Sequence, residues 1–539
     1  MLADRLIERA SNWEDMRAAF RWQMPERFNI SEVACARWAR HDPERRALTL
    51  LRQDGDVRHY SYVELNRAAN RFANVLRAHG VERGDRVAVL LPQTPETVLT
   101  HLASYKLGAI VVPLFTLFGE DGLQFRLFDS GARALVTDRA NLPKIVNIRD
   151  QLPALSDVFT VDGAESGSHA FWPELGRAAD ACETAATGPD DPAFLSYTSG
   201  TTGPPKGALH GHRVLLGHLP GVELHHTFLP QPGDCLWTPA DWAWMGGLAN
   251  VMLPSLTYGV PLIAHRMAKF DPDHAFHLMD RLGVRNVFLP PTALKMMRAA
   301  APVRLPKLRS VASGGEALGA GMLEWGRSFF NTEINEFYGQ TECNLVLSNC
   351  AAVMPPRPGS MGKAVPGHEV GILDPDGQIA APGETGDIAV RRPDPAMFLE
   401  YWGRPEKTAE KFLGDWMLTG DLGHADEDGY VYFASRTDDV ITSSGYRIGP
   451  TEIEDCLTGH PDVLMAGVIG VPDPIRTEAV KAFVVLREGA DADGLDRVLI
   501  NRVRERISAH VAPRDVAFVD GLPMTATGKI MRRRLKSES

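Results

Sequence analysis

Cysteine is scarce in this 539-residue sequence, and its few cysteines are widely separated. No two of them form a CxxC pair, and none has a Cys/His spacing typical of a metal site. The six are Cys35, Cys182, Cys235, Cys343, Cys350 and Cys456. Because scattered cysteines in a long chain indicate reduced thiols, we expect neither disulfides nor a zinc framework, and we expect a cytoplasmic protein.

Long apolar runs are also missing. Stretches such as Val87–Leu91 and Ala109–Phe115 are far shorter than the roughly 18 residues of a membrane-spanning helix. The opening segment MLADRLIERASNW is charged and lacks the apolar stretch of a secretory signal. The sequence therefore predicts no membrane span and agrees with a cytoplasmic location.

An excess of positive charge is missing as well. The chain has 57 Lys and Arg against 68 Asp and Glu, which gives a net charge of −11. A mildly acidic chain is a poor binder of nucleic acid and anionic membranes, so we expect neither as a partner. At about 150 residues per domain, the length predicts more than one domain.

The sequence does contain an alternation of short strands and helices. Arg86–Leu91 and Ala109–Val112 are apolar runs of strand length, and Pro95–Leu107 between them has the length of a helix. A strand, a helix and a strand in this order favour a parallel sheet covered by helices. The alternation continues to about residue 350 and predicts a large α/β region.

The C-terminal region has a different pattern. Val463–Gly470 and Val480–Leu486 are predicted strands, residues 495–507 carry an apolar stripe of helical spacing, and Pro513 is predicted to end that helix. This pattern predicts a small α+β domain. Because Ser435–Asp439 is a polar stretch between apolar segments, we place a large N-terminal domain at 1–435, a hinge at 436–439 and a small C-terminal domain at 440–539.

The strongest chemical motif is the segment Tyr197–Gly207, which reads YTSGTTGPPKG and follows a predicted strand. Its three glycines let backbone N–H groups approach an anion, its five hydroxyls add donors, and Lys206 adds a positive charge. The segment differs from a Walker A loop, because no Ser or Thr follows the lysine. It predicts a phosphate-binding loop.

With this segment and five others, the sequence resembles the adenylate-forming superfamily of acyl-CoA synthetases, peptide-synthetase adenylation domains and luciferases. The others are YGQTE at Tyr338–Glu342, TGD at Thr419–Asp421, RTD at Arg436–Asp438, SGYRIGP at Ser444–Pro450 and PMTATGK at Pro523–Lys529. Phe20–Asn29 is similar to the N-terminal segment of acetyl- and medium-chain acyl-CoA synthetases. The resemblance implies an α/β fold, with a large N-terminal domain of helix-covered parallel sheets and a small mobile α+β C-terminal domain.

The implied activity is that of an AMP-forming acyl-CoA synthetase. A carboxylate would attack the α-phosphate of ATP to give an acyl-adenylate and pyrophosphate, and CoA would then displace AMP. Both first reactants are anions, so the site must neutralise charge and hold them in line. The resemblance implies ATP, CoA and Mg²⁺, a cation that prefers oxygen ligands.

The resemblance also assigns roles to single residues of the ATP site. Thr341 would contact the α-phosphate, Glu342 would bind Mg²⁺, and Lys529 would bridge the carboxylate and the α-phosphate. The residues implied at the β- and γ-phosphates are Thr198, Ser199, Gly200, Thr201, Thr202 and Lys206. The residues implied at the adenosine are Gly315, Glu316 and Tyr338 for the base, and Asp421 and Arg436 for the ribose.

For thioester formation, the resemblance implies that the small domain rotates and withdraws Lys529. Asp438 lies at the implied hinge, where a polar residue absorbs the change in backbone angles. Gly445 lies where the family's chain lines the pantetheine tunnel, and Arg447 would contact a CoA phosphate.

The implied acyl pocket includes Trp244, Gly247 and Gly339. Acetate-specific enzymes carry a tryptophan at the position of Gly339, so we interpret glycine as leaving that volume open. This favours a medium-chain, branched or aryl carboxylate over strict use of acetate. Because a missing methylene changes affinity by only about 1–3 kcal/mol, we expect overlapping substrates.

Three other functions remain alternatives. The chain could load an acyl group onto the phosphopantetheine of a carrier protein, act as a luciferase-like oxygenase, or bind nucleotide or acyl ligands without catalysis. The presence of Lys206, Glu342, Asp421 and Lys529 favours a catalyst over the last alternative. We also expect a homo-oligomer, and a lysine acetyltransferase and deacetylase acting on Lys529, whose acetylation would remove its charge.

Overall fold

The computed structural model describes residues 5–198, 204–267, 269–300, 307–443, 446–473, 477–507, 511–524 and 529–537. The strands are β1 (Arg46–Leu51), β2 (Val57–Ser61), β3 (Arg86–Leu90), β4 (Ile110–Pro113), β5 (Ala134–Thr137), β6 (Asp157–Thr160), β7 (His169–Ala170), β8 (Pro192–Thr198), β9 (Lys206–Gly211), β10 (Leu236–Trp237), β11 (Leu262–Ala264), β12 (Asn286–Phe288), β13 (Ser310–Gly314), β14 (Ile334–Tyr338), β15 (Leu347–Ser348), β16 (Lys363–Ala364), β17 (Val370–Leu373), β18 (Gly386–Arg391), β19 (Glu400–Tyr401), β20 (Phe412–Leu413), β21 (Trp416–Ala425), β22 (Val431–Arg436), β23 (Ile441–Ser443), β24 (Tyr446–Ile448), β25 (Val463–Asp473), β26 (Thr477–Leu486) and β27 (Asp515–Phe518).

The helices connect and cover these strands. The α-helices are α1 (Trp13–Ala19), α2 (Arg37–His41), α3 (Tyr62–Ala78), α4 (Pro95–Leu107), α5 (Glu120–Ser130), α6 (Leu142–Ile148), α7 (Phe171–Arg177), α8 (Val214–His225), α9 (Met245–Gly247), α10 (Leu253–Tyr258), α11 (Pro272–Arg281), α12 (Pro291–Ala299), α13 (Ala320–Phe330), α14 (Pro405–Ala409), α15 (Pro450–Thr458), α16 (Leu495–Arg506) and α17 (Arg532–Ser537). Short π-helical segments lie at Glu32–Ala36 and Leu248–Met252, and 3₁₀ turns lie at Arg149–Gln151 and Thr437–Asp439.

The chain forms two compact units. The first unit contains the residues up to Val370 together with Val390–Trp416, and the second contains Gly371–Ala389 and the residues from Met417 onward. The α/β class with a smaller C-terminal domain, expected from the sequence, is confirmed. The hinge at 436–439 and the boundaries drawn from it stay predictions.

The first unit holds two large sheets whose central strands are parallel. One sheet has the order β16-β15-β14-β13-β12-β10-β11-β1-β2, and it is parallel from β14 to β1. The other has the order β19-β9-β8-β4-β3-β5-β6-β7, and it is parallel from β8 to β7. Parallel strands need crossovers, which the intervening helices supply.

Local sequence explains where the best predicted helices begin and end. Ser61 caps α3 and forms a capping box with Glu64, while Pro95 occupies the first turn of α4. Gly108 ends α4 in the left-handed region, with a φ of 69°. The predicted helix Pro95–Leu107 is therefore confirmed, and it is buried along nearly its whole length.

The second unit contains smaller sheets. Strands β17, β18 and β21 are neighbours in one of them, and β21 pairs with β22. The other has the order β24-β23-β26-β25, with β27 parallel to β26. Helix α16 ends at Arg506, well before Pro513, so the expectation that Pro513 ends it was wrong. Ile507 is the C-cap of this helix, and its backbone N–H still donates to the Val503 carbonyl.

Two expectations about composition can be compared with the structure. All six cysteines are free thiols. None of the described helices has both the length and the apolar character that a membrane crossing requires.

Candidate active site

Several predicted site residues lie at the ends of parallel strands in the nine-stranded sheet of the first unit. Strands β13 and β14 pair in parallel, with Gly314 opposite Phe337. Gly315 and Tyr338 therefore lie at the same edge of the sheet. The carboxyl ends of strands in an open α/β sheet are where ligands usually bind. The adenine residues predicted from the sequence are thus brought together by strand register.

Trp244 joins this edge from the segment after β10. Its indole lies 3.5 Å from where a Cβ on Gly315 would stand, and its ring centre is 6.0 Å from that of Phe288. Trp244 is half-buried, whereas Trp237 and Trp242 are fully buried in the core. Of these three tryptophans, Trp244 therefore presents an apolar face beside the predicted nucleotide residues.

The described residues of the phosphate-loop motif lie at the facing ends of two strands. Strands β8 and β9 are antiparallel, and their register places Thr198 opposite Lys206. Both residues are half-buried. Ser199, Gly200, Thr201 and Thr202 lie outside the described residues. The hairpin thus brings the hydroxyl and the ammonium of the motif to the same end of the strand pair.

Hydrogen bonds from two distant segments hold this hairpin in place. The Tyr197 hydroxyl donates to Asp129 Oδ2 over 2.8 Å, and Arg404 Nη2 donates to Asp129 Oδ1 over 3.0 Å. The Trp402 backbone N–H donates to the Gly207 carbonyl over 2.8 Å. Burial and the neighbouring Asp129 carboxylate raise the pKa of Tyr197, so its hydroxyl stays a donor at neutral pH.

Glu342 is held by a residue that the sequence alone did not identify. The Tyr401 hydroxyl donates to Glu342 Oε1 over 2.5 Å, and the Lys206 ammonium lies 4.8 Å from the centre of the Tyr401 ring. Tyr401 is 1% exposed, and β19 places it opposite Ala208 of β9. Tyr401 therefore connects the motif lysine to the predicted magnesium ligand.

The second carboxylate oxygen of Glu342 accepts no hydrogen bond from the residues that the structure describes. A carboxylate oxygen is the kind of ligand that Mg²⁺ prefers, so Glu342 fits the ion that the sequence implies. Thr341, the adjacent residue, is half-buried. Glu316 lies 3.8 Å from the Lys295 ammonium in a partly exposed pair.

Gly247 and Gly339 are required by close backbone packing. A Cβ on Gly339 would overlap the backbone nitrogen of Leu345, and one on Gly247 would overlap the carbonyl of Asp241. The sequence interpretation assigned an open volume to Gly339, but the Asn344–Leu345 backbone fills the direction of its missing side chain. The assignment of both glycines to the acyl pocket stays a prediction.

Asp241 is a further titratable group near Trp244. Burial raises its pKa to about 6, against the lowering effect of the Ala243 backbone N–H, which donates to Asp241 Oδ1 over 2.8 Å. The sequence alone assigned no role to this residue. Its hydrogen bond closes the turn that presents Trp244.

In the second unit, the predicted ribose residues are paired. Asp421 of β21 is opposite Arg436 of β22, and Arg436 Nε donates to Asp421 Oδ1 over 3.1 Å. The Asp421 backbone N–H also donates to the Thr419 hydroxyl over 3.1 Å. The Thr419 hydroxyl therefore fixes the backbone of Asp421, and strand pairing places the Arg436 guanidinium beside the Asp421 carboxylate.

The other predicted residues of the second unit are less closely defined. Lys529 is exposed. The side chains of Asp438 and Arg447 lie outside the described part of the chain, as does Gly445. Beside the predicted hinge, Arg532 Nη1 donates to Asp439 Oδ2 over 2.9 Å and Nη2 donates to Glu454 Oε2 over 2.6 Å.

An α/β unit with this strand-end site, followed by a smaller α+β unit, defines an ATP-dependent ligase of the adenylate-forming class. The family description "AMP-binding enzyme" matches residues 35–402, and "AMP-binding enzyme C-terminal domain" matches residues 452–529. The chain belongs to the family of AMP-binding enzymes, and within it to the AMP-forming acyl-CoA synthetases, which use a carboxylic acid, ATP and CoA.

Two curated relatives illustrate this membership. An acetyl-coenzyme A synthetase of Bacillus subtilis (strain 168) is 38% identical over 490 residues, which are 89% of this chain and 85% of that protein. The mitochondrial acyl-coenzyme A synthetase ACSM3 of Mus musculus is 32% identical over 549 residues, which are 98% of this chain and 93% of that protein.

A solved structure has the same fold. The anthranilate CoA ligase AuaEII in complex with anthranoyl-AMP matches with a TM-score of 0.86 and 29% sequence identity, over 96% of this chain and 98% of that chain. A bound acyl-adenylate in that structure agrees with the chemistry of the class.

Proposed function

We propose that this acyl-CoA synthetase activates medium-chain, branched or aryl carboxylic acids, and that it uses Mg²⁺-bound ATP at the strand-end site of the first unit. The observation that carries the nucleotide part is the chain of contacts from Lys206 over Tyr401 to Glu342. Through Tyr401, the Lys206 ammonium and the Glu342 carboxylate lie near the motif whose composition favours phosphate binding.

Glu342 would hold Mg²⁺ through the carboxylate oxygen that Tyr401 leaves accessible. When bound, Mg²⁺ would neutralise phosphate charge during attack by the carboxylate. Lys206 and Thr198 would bind the β- and γ-phosphates, with Ser199, Gly200, Thr201 and Thr202 of the same loop. Thr341 would bind the α-phosphate.

Charge from the second unit completes the adenylation step in this proposal. Lys529 would stabilise the negative charge that develops as the carboxylate attacks the α-phosphate. Asp421 would accept from the ribose hydroxyls, with Arg436 holding its carboxylate. For the thioester step, Asp438 would be the hinge, and Gly445 and Arg447 would guide CoA.

The acyl preference rests on Trp244. The half-buried indole of Trp244 lies against Phe288, and this apolar surface suits an apolar acyl group. A tryptophan of the acetate-specific type cannot be placed at position 339 on this backbone, because the Leu345 nitrogen occupies the site of its Cβ. The Trp244 surface favours acids larger than acetate, whereas position 339 expresses no preference, because backbone and not open space lies there.

The direct test is thioester formation measured by mass spectrometry. The enzyme, ATP, Mg²⁺ and CoA are incubated separately with acetate, propionate, isobutyrate, 2-methylbutyrate, hexanoate, octanoate and benzoate. We expect acyl-CoA chiefly from the larger acids. Acetyl-CoA as the dominant product would contradict the acyl assignment, and acyl-AMP without acyl-CoA would contradict CoA as the acceptor.

A matched pair of variants tests the acyl surface itself. Trp244→Ala should raise the KM for hexanoate and octanoate far more than the KM for ATP. Trp242→Phe, at a fully buried neighbour, is the control for a general packing effect. If Trp244→Ala lowers activity on every acid together with the melting temperature, Trp244 has only a structural role.

We further propose that Lys529 is the target of a lysine acetyltransferase and a deacetylase, because its exposed side chain is accessible and its charge is needed for adenylation. Intact-protein mass spectrometry of material from several growth conditions tests this. Unmodified Lys529 under every condition would count against it.

A further inference from the structure

Two histidines and one aspartate converge at the edge of the eight-stranded sheet, on elements that carry none of the predicted active-site residues. His79 Nδ1 lies 2.8 Å from Asp157 Oδ1, and His169 Nε2 lies 3.2 Å from the same oxygen. The three potential ligand atoms all lie within 4.8 Å of one another. Neither the phosphate hairpin nor the strand-end site includes any of these three residues.

We propose that His79, Asp157 and His169 bind a divalent transition-metal ion of the zinc type. Imidazole nitrogen and carboxylate oxygen are ligands that Zn²⁺ accepts, at about 2.0–2.1 Å from the metal. In a tetrahedral site such ligands stand about 3.3 Å apart. The measured separations from Asp157 Oδ1 are 3.2 Å for His169 and 2.8 Å for His79, so His79 must move away by about 0.5 Å to admit the ion. Zn²⁺ binds the lone pair of a neutral imidazole nitrogen, so in the bound state the proton of His79 would lie on Nε2 and that of His169 on Nδ1.

The surrounding fold orders these ligands before an ion arrives. His79 follows the last residue of α3, Asp157 is the first residue of β6, and His169 is the first residue of β7. Both imidazoles pack against the buried ring of Phe159, with ring centres 5.1 and 5.3 Å away. Strand pairing sets His169 opposite Phe159. Little side-chain freedom is therefore lost on binding.

The site is open on one side. The side chains of His79 and Asp157 are 20% and 15% exposed, and that of His169 is 42% exposed. Three protein ligands with access to solvent leave a coordination position for water. The ion would tie the end of α3 to two edge strands, so its role is to stabilise the first unit.

One neighbouring cation opposes the ion. Arg149 Nη2 donates to the carbonyl of Ser156, the residue before Asp157, over 2.7 Å, so its guanidinium lies close to the proposed ion. A bound divalent ion would be repelled by this guanidinium, so we expect an ion that chelators remove.

The test is a metal titration of the full-length, untagged protein after treatment with EDTA. Equilibrium dialysis with Zn²⁺, followed by elemental analysis, measures stoichiometry, and thermal unfolding measures stabilisation. We expect one ion per chain and a higher melting temperature. Co²⁺ as the probe should give the absorption bands of a four- or five-coordinate ion with nitrogen ligands.

Matched variants locate the ion. His79→Ala and His169→Ala should weaken binding at least about tenfold, because each removes one of three ligands. His169→Glu, which restores a ligand atom, should recover part of the affinity. His41→Ala, at an exposed histidine of the same unit, should change nothing.

The main competing site is the pair His265 and His274, whose Nε2 atoms lie 2.8 Å apart. Loss of binding in His274→Ala but not in His79→Ala or His169→Ala would overturn the proposal. A dissociation constant in the millimolar range, or binding that thiol blocking abolishes, would also overturn it. Because no readout uses acyl-CoA formation, failure here leaves the proposed substrate untouched, and the converse also holds.

Discussion

The two units carry their functional charges in different ways. In the first unit, Tyr401 contacts both Lys206 and Glu342, and Asp129 braces the hairpin through Tyr197. In the second unit, Lys529 is exposed on the surface. The charges assigned to the phosphates and Mg²⁺ are therefore held by packing. The exposed charge assigned to the adenylation step can be removed without disturbing the hydrophobic core of the second unit.

The sharpest test of this comparison is Lys529→Ala. Loss of a positioned charge at a developing anion typically costs about 10²–10³-fold in rate, and we expect such a loss in the adenylation half-reaction. Thioester formation from supplied acyl-AMP should survive, and so should the melting temperature. Pyrophosphate release and acyl-CoA formation from acyl-AMP measure the two half-reactions separately.

Lys536→Ala is the control for loss of a cation in the same unit, since Lys536 lies 3.9 Å from Glu478 in a partly exposed pair. It should leave both half-reactions near the wild-type rate. Equal loss of both half-reactions in Lys529→Ala would break the comparison, because the lysine would then serve the whole cycle or the fold.

The second prediction concerns Tyr401→Phe in the first unit. Removing the hydroxyl deprives Glu342 of its donor, and loss of a group that orients a metal ligand typically costs about 10–100-fold in metal affinity or activity. We expect a higher Mg²⁺ concentration for half-maximal adenylation, with CoA transfer from acyl-AMP much less affected. A titration of the adenylation rate with Mg²⁺ measures this.

Tyr258→Phe is a matched control, because Tyr258 donates to the buried carboxylate of Glu223 elsewhere in the same unit. It should alter stability without altering the Mg²⁺ requirement. An unchanged Mg²⁺ dependence in Tyr401→Phe would mean that Glu342 is oriented by other groups.

Much of the first unit could be predicted from local sequence. The helix Pro95–Leu107 has a proline at its start and Gly108 at its end, so its bounds follow from terminal chemistry alone. The strand predicted before the phosphate-loop motif is likewise present and ends at Thr198. Such features depend on neighbours in the chain, which the sequence displays directly.

Contacts between distant segments could not be predicted in this way. Tyr401 meets Glu342 only because β19 pairs with β9, and nothing in the local sequence marks that pairing. The open volume expected at Gly339 was filled by the backbone of Leu345, since a glycine shows only that a side chain is missing. What occupies the resulting space depends on tertiary packing.

Among the described residues, buried histidines occur only in the first unit. The third prediction concerns one of them, His225. Burial lowers the pKa of His225 to about 3, and neither of its ring nitrogens has a hydrogen-bond partner in the described structure. Because the unfolded chain binds a proton near pH 6.5 and the folded chain does not, stability is complete above that pH and is lost as the pH falls.

His225→Leu should therefore remove part of the acid sensitivity. Between pH 7.5 and pH 5 the wild type should lose about 2 kcal/mol more than this variant. Urea unfolding at several pH values measures the slope. Burial also raises the pKa of Glu223 to about 7, which opposes the trend, so Glu223 must be left unchanged in both proteins. Parallel slopes would show that the native state takes up the proton at His225.

The smallest effect is expected from Arg436→Gln in the second unit. The Arg436 side chain is 40% exposed, and a partly exposed ion pair is typically worth about 0.2–1 kcal/mol. Asp421 stays in place without it, because β21 pairing and the Thr419 hydroxyl fix its backbone. We expect a rise of a few-fold in the KM for ATP and an unchanged kcat, measured by pyrophosphate release.

Asp421→Asn is the informative partner variant, since it removes the carboxylate assigned to the ribose and keeps its shape. It should raise the KM for ATP more than Arg436→Gln does. If Arg436→Gln instead lowers kcat as far as Lys529→Ala does, the arginine acts on the reacting phosphate. The second unit would then supply two catalytic cations, and the contrast between packed and exposed charge would no longer separate binding from catalysis.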